Sequence, residues 1–244
     1  MELLVLGSSS RGNYYILRDA TAALIIEAGV PWRDVLEALD FNLRGLQGCL
    51  VTHEHGDHAG RIKDFLRYGI DVYTSQGTLD ALNLTATHRL HALQPMQTRQ
   101  IGAFTVCPFP VDHDAREPLG FIIQHPQCGN LLFCTDTQNL PFWMPGLNNM
   151  IVEANFSADI QAGQTNMPEF LKQRIQNSHM ELDVLKDYLR ENDCRQLHNV
   201  VLIHLSQGSS DRQRFKTEIQ EILPGKTVWV AEKGMRIPLN QKPF

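Results

Sequence analysis

The chain has 244 residues, of which 43% are hydrophobic and 20% charged, a composition that supports a folded core and excludes disordered and fibrous classes. A formal net charge of −5 at pH 7 leaves no broad basic face for wrapping duplex DNA, and Arg11, Arg61, Lys63 and Arg67 are the candidates for a local basic rim. The five cysteines are odd in number and contain no CxxC pair, which argues against a disulfide framework or thiolate zinc site and for a reducing, cytoplasmic setting.

In chain order, the apolar bursts ELLVL, NYYIL and AALII, separated by GSSSRGN and RDAT, predict antiparallel strands. The first of them lacks a basic leader and reads as a strand, not a signal peptide. PWRDVLEAL predicts a helix with Pro31 at its first position. GCLVT predicts a strand that delivers THEHGDHAG, and GRIKDFLRYG predicts the helix after it, stopping at Gly69. DVYT reads as a strand, SQGTLDALN as a helix, and RQI, FTVCPF, GFIIQ, NLLFCT and MIVEA as further strands. Helices follow at PEFLKQRI and MELDVLKDYLREN, then strand NVVLIHL, helix DRQRFKTEIQEIL and strand TVWVA. No apolar run reaches membrane-spanning length. With no linker or repeat, residues 1–244 are expected to form one α/β domain, two sheets packed together with helices outside.

The segment THEHGDHAG holds His53, His55, Asp57 and His58 in six consecutive positions. Desolvating so many imidazoles and a carboxylate together is costly unless a cation pairs with all of them. In an extended segment residues 53 and 55 point to one side and converge on one ion, leaving Asp57 and His58 to face a second. The zincin pattern HExxH fails, because position 57 is Asp. Two catalytic ions need further ligands from elsewhere. His113, Asp136 and His204 lie at or near the ends of apolar strand-like runs, which suggests that several strands deliver their ends to one edge. His179 competes with His204 for the last position. In NSHMELD, Ser178 and Glu181 make an S-x-x-E capping box that puts His179 in the first turn of a helix, where the positive helix end disfavours an imidazolium. There His179 is either a catalytic proton donor over the site or an exposed first-turn histidine. His88 and His91 share a possible helix face and read as surface residues, as do His125 and His198 near turns.

Together with these residues, LGSSSRGN, DHDAREPLGF, CTDT, EAN and IHLS resemble the metallo-β-lactamase fold superfamily and, within it, the WalJ/YycJ-type (VicX) branch of exonuclease-like phosphodiesterases. The resemblance runs from Leu6 to about Ser206. It implies a four-layer αββα sandwich of two mixed sheets with outer helices. It further implies a first ion on His53, His55 and His113, a second on Asp57, His58 and His204, and Asp136 bridging them. Where the family has an aspartate before its first turn, LIIEAG carries Glu27, one methylene longer but still able to orient a ligand imidazole.

The expected function is a dinuclear metal-dependent phosphodiesterase or nuclease that activates a bridging water. Asp57 would orient that water and His179 would serve the leaving group, while Ser9 and Asn155 would line the substrate mouth. Zn is the expected ion, with Mn or Fe admitted by the oxygen donors. Nucleic acid is the expected substrate and partner, no membrane is involved, and a homodimer is compatible with the chain. The alternatives are a small-molecule hydrolase of the same fold, acting on a thioester, lactone or cyclic phosphate ester, and a metal-bound scaffold without turnover.

Overall fold

A computed structural model describes residues 1–142 and 144–241. The chain begins with an antiparallel meander of β1 (Glu2–Ser9), β2 (Gly12–Arg18) and β3 (Ala23–Ile26). α1 (Trp32–Ala38) leads to β4 (Leu46–Leu50), α2 (Gly56–Ala59) and α3 (Ile62–Arg67) to β5 (Val72–Ser75), and α4 (Gln76–Ala81) to β6 (Leu90–Leu93), with β3 to β6 parallel. In the second sheet β7 (Arg99–Ile101), β8 (Phe104–Pro110), β9 (Leu119–His125) and β10 (Gly129–Cys134) are antiparallel, and β11 (Asn149–Glu153), β12 (Asn199–Ile203) and β13 (Thr227–Val230) continue parallel to β10. α5 (Ala158–Ala162), α6 (Glu169–Gln176) and α7 (Leu182–Glu191) connect β11 to β12, α8 (Arg212–Ile222) precedes β13, and β14 (Arg236–Pro238) pairs with β1. The result is two mixed sheets, ordered β14-β1-β2-β3-β4-β5-β6 and β13-β12-β11-β10-β9-β8-β7.

Successive side chains of a strand face opposite ways, so a strand apolar at every position is buried on both faces. Leu3 and Val5, Tyr15 and Leu17, Phe121 and Ile123, Leu131 and Phe133, and Val201 and Ile203 meet between the sheets. Their neighbours Leu4, Leu6, Tyr14 and Ile16 turn outward and pack under α1 and α3 through Trp32, Val35, Ile62 and Phe65. On the other side Leu132, Cys134, Met150, Val152, Val200 and Leu202 pack under α7 and α8 through Leu185, Leu189, Phe215 and Ile219. These three apolar layers make the expected αββα sandwich. No helix among the described residues is long and apolar enough to cross a membrane.

The strand directions decide where the site lies. β1 and β3 are both antiparallel to β2, and β8 and β10 are both antiparallel to β9. The C-terminal ends of β1, β3, β4, β8, β10, β11 and β12 therefore all open on one edge of the sandwich, the usual place for a site in α/β sheets. Three residues just past these ends, Glu27 (φ 71°), Asp136 (φ 48°) and His204 (φ 52°), hold left-handed backbone conformations that cost free energy in a non-glycine residue and cluster at functional positions.

Several expectations are corrected. Pro31 is the N-cap of α1, one residue before its first turn. His91 lies on β6, stacked on Tyr73 with ring centroids 4.5 Å apart, not on a helix. His125 is buried against Phe104, 3.6 Å from Asp19 Oδ2, not solvated. His88 is exposed as expected.

Candidate metal centre

The chain leaves β4 at Leu50, passes through Thr52 and His53 and turns into α2 with His55 at its N-cap position. Two bonds tie this turn to the end of β3: Ala28 N–H donates to the His58 carbonyl at 2.6 Å and Arg61 N–H to the Ala28 carbonyl at 2.8 Å. Gly29 permits the approach, since a Cβ there would lie 1.7 Å from the Asp57 carbonyl oxygen. Asp57 and His58 thus stand beside His53 and His55.

His53 Nε2 and His113 Nε2 lie 3.1 and 3.2 Å from His55 Nδ1. Asp136 Oδ2 is 3.8 Å from His53 Nε2, 3.6 Å from His113 Nε2 and 3.3 Å from His58 Nε2. Asp57 Oδ2 is 3.2 Å from His58 Nε2 and 3.7 Å from His204 Nε2, while His204 Nδ1 is 2.5 Å from Asp136 Oδ1. His53, His55, His113 and Asp136 form one convergent donor group, Asp57, His58 and His204 a second, and Asp136, Glu153, His179 and His204 a third, with the donor atoms of each within 4.8 Å of one another. Asp136 faces all three.

The chemistry of this donor set fits divalent cations. Burial, reinforced by neighbouring His58, pushes His53 well below the ordinary imidazole value, and burial also lowers His113, so both rings are neutral and ready to ligate. Burial opposes charge on Asp136, but His204 and His58 hold its carboxyl well below the usual range. Ring nitrogens facing one another at hydrogen-bond distance around an ionised carboxylate are the arrangement a bound cation compensates.

A surrounding set of contacts fixes the ligands' orientation. Thr52 Oγ1 donates to Glu27 Oε1 at 2.7 Å and lies 2.9 Å from His53 Nδ1. His58 Nδ1 lies 3.2 Å from the same Glu27 oxygen, without hydrogen-bond alignment. The longer side chain of Glu27 thus reaches both halves of the motif. His113 Nδ1–H donates to the Ser178 carbonyl at 2.7 Å, leaving Nε2 for the site. Asn13, fully buried, offers its Nδ2 amide to Asp57 Oδ2 at 3.2 Å and to His58 Nε2 at 3.1 Å.

His179 is placed differently from the expectation. α7 starts at Leu182 with Glu181, not Ser178, as its N-cap, and Ser178 closes the preceding helix by donating to the Arg174 carbonyl at 2.7 Å. His179 sits between the helices with Nδ1 2.7 Å from Glu153 Oε1. Burial disfavours its charge, but the Glu153 carboxylate outweighs burial and raises His179 to about 9. Glu153 is fully buried and also accepts from Thr137 N and Met180 N at 3.2 and 3.1 Å. It is absent from the sequence-based site, although it ends β11 much as Asp136 follows β10.

His55, Asp57, His113, Asp136, His179 and His204 line a cavity of about 550 Å³ whose walls include Ser10, Leu171, Arg174, Ile175 and Gly208. Ser10, not Ser9, reaches it; the Ser9 hydroxyl accepts from Arg11 N at 3.3 Å and its carbonyl from Asn13. Asn155 borders the cavity but directs both amide hydrogens inward, to the His204 carbonyl at 2.8 Å and Glu153 Oε1 at 3.2 Å.

A family model described as "Beta-lactamase superfamily domain" matches residues 25–205. The chain belongs to the beta-lactamase superfamily. As a member it is a hydrolase of the metallo-β-lactamase fold, and its His/Asp cluster points to divalent metal ions. It is 26% identical to Exodeoxyribonuclease YycJ of Bacillus anthracis, over 93% of this chain and 91% of that protein. It is 27% identical to Exodeoxyribonuclease WalJ of Streptococcus pneumoniae, over 64% of this chain and 63% of that one. The crystal structure of the metallo-beta-lactamase fold protein YhfI from Bacillus subtilis superposes with a TM-score of 0.76 at 17% identity, covering 97% of this chain and 98% of that one.

Proposed function

We propose that this superfamily member is a dinuclear phosphodiesterase that removes nucleotides from DNA. The observation that carries the reading is His179 at the cavity wall, held by the buried Glu153 carboxylate, a held proton donor beside a site for cations. The exodeoxyribonuclease names of relatives aligned along 93% and 64% of the chain support DNA as the substrate.

His53, His55 and His113 would hold one ion, Asp57, His58 and His204 the other, with Asp136 between them. When bound, two divalent ions supply a nucleophilic water at neutral pH and neutralise phosphoryl oxygens. Asp57, with 21% of its side chain exposed, is set to accept a hydrogen bond from the attacking water. His179, with Nδ1 engaged by Glu153, donates from Nε2 to the leaving oxygen. The imidazole-rich donors suit Zn, and the carboxylates also accept Mn or Fe.

The test is turnover by the purified protein loaded separately with Zn and with Mn, on bis-p-nitrophenyl phosphate and on thioester and lactone substrates. Release of p-nitrophenol with at least one metal is expected. Turnover confined to a thioester or lactone would replace this reading with that of a small-molecule hydrolase.

A further inference from the structure

α6 differs from the other long helices in what it covers. None of its eight residues is buried. Met167, just before it, and Leu171 and Ile175 within it recur every four residues as one stripe, and all three line the cavity. A row of apolar side chains thus faces a hydrolytic floor across open space. Ser10 and Gly208 also line this space.

Arg174 stands beside the stripe and donates from Nε to Asp114 Oδ2 at 3.0 Å. The two side chains are 58% and 42% exposed, so water screens the pair and it is given up at little cost. A phosphate offers the guanidinium a bidentate, charge-assisted partner in its place. Asp114 Oδ1 lies 3.3 Å from His113 Nε2, so Arg174 is only one side chain away from the donor cluster.

We infer that this wall is the pocket for a single nucleotide of the substrate strand, its base lying on Met167, Leu171 and Ile175 and its phosphate taking Arg174 from Asp114. The inference rests on the phosphodiesterase reading above. An apolar wall flanked by one arginine matches a flat apolar body carrying an anion, and a thioester or lactone group by itself supplies Arg174 with no such anion. The volume falls in the range of about 300 to 1,000 Å³ that encloses one small-molecule-sized body, which is room for one nucleotide.

The test compares wild type, Leu171→Asp and Arg174→Ala, as full-length metal-loaded proteins, on an end-labelled DNA oligonucleotide and on bis(2,2,2-trifluoroethyl) phosphate, a diester with no ring to lie on the wall and no second phosphate for Arg174. For each variant the ratio of kcat/KM on the oligonucleotide to that on the small diester is expected to fall at least about tenfold, the scale of a lost pocket contact. A ratio within about tenfold of wild type in either variant overturns the nucleotide pocket and leaves the phosphodiesterase reading standing. Wild-type protein that turns over neither diester removes that reading, and the pocket with it.

Discussion

Replacing Glu153 with Gln removes the charge beside His179 Nδ1; the new amide's one oxygen stays toward His179 and its nitrogen meets the N–H groups of Thr137 and Met180, which lowers stability as well. Without that charge burial dominates, and burial favours the neutral ring. A proton donor needs the charged ring, which is present below its pKa and lost above it. In the metal-loaded enzyme Glu153→Gln is therefore expected to move the alkaline limb of the pH–rate profile to lower pH, and His179→Ala to keep its metal and slow turnover roughly a hundredfold or more. A Glu153→Gln profile that superimposes on wild type, or a His179→Ala enzyme with full rate and full metal content, takes the proton-donor role from His179. The metal-capable side chains are legible in the sequence because three histidines and an aspartate in one turn have few other uses. Glu153 and Asn13 are not, because a lone acid at a strand end or an amide in a strand becomes informative only when the fold sets it against an imidazole. That His179 borders the site is readable but its setting is not: the S-x-x-E spacing that suggests a capping box is filled by the end of one helix and the start of the next.

At the scale of elements, α2 is a single turn, too short to show helical periodicity, and it is read in the sequence only as part of the motif. Its position depends on Gly29. A methyl group there would meet the Asp57 carbonyl carbon at 2.6 Å and the Asn13 amide nitrogen at 2.7 Å, in addition to the carbonyl oxygen, all of them backbone that cannot swing aside as a side chain does. Gly29→Ala is expected to push α2 away from the end of β3, displacing Asp57 and His58 while sparing His53 and His113. Elemental analysis should then find about one metal equivalent lost, in a protein whose circular dichroism matches wild type. Retention of both equivalents would mean that the turn adjusts without the glycine. The long apolar strands and amphipathic helices are legible because their periodicity outlasts local noise. β6 and β14, with four and three residues, lie at or beside a sheet edge and carry too few apolar positions to register.

Over the whole molecule, the site is a junction between the two sheets. Glu27, His53, His55, Asp57 and His58 come from the end of β3 and the turn after β4, and His113, Asp136, Glu153 and His204 from the other sheet. Cations bound here would stabilise the docking of one half of the chain on the other, because the unfolded chain keeps only the four donors of residues 53–58 together and loses His113, Asp136 and His204. Linkage then fixes the direction of the effect: a ligand at a hundred times its dissociation constant adds about 2.7 kcal/mol to folding. For a domain of this size each kcal/mol is worth about 2–4 °C in Tm, so stripping each ion is expected to lower the melting temperature by about 5–10 °C, and a chelator that removes both by about 10–20 °C. His204→Ala, which removes a donor of the second sheet, should give a smaller loss on chelation, because one ion is already weakly held. A melting curve unmoved by chelation, in protein shown by elemental analysis to have carried its metal, would mean that the unfolded chain holds the ions as tightly as the folded one, so that they do not join the two halves.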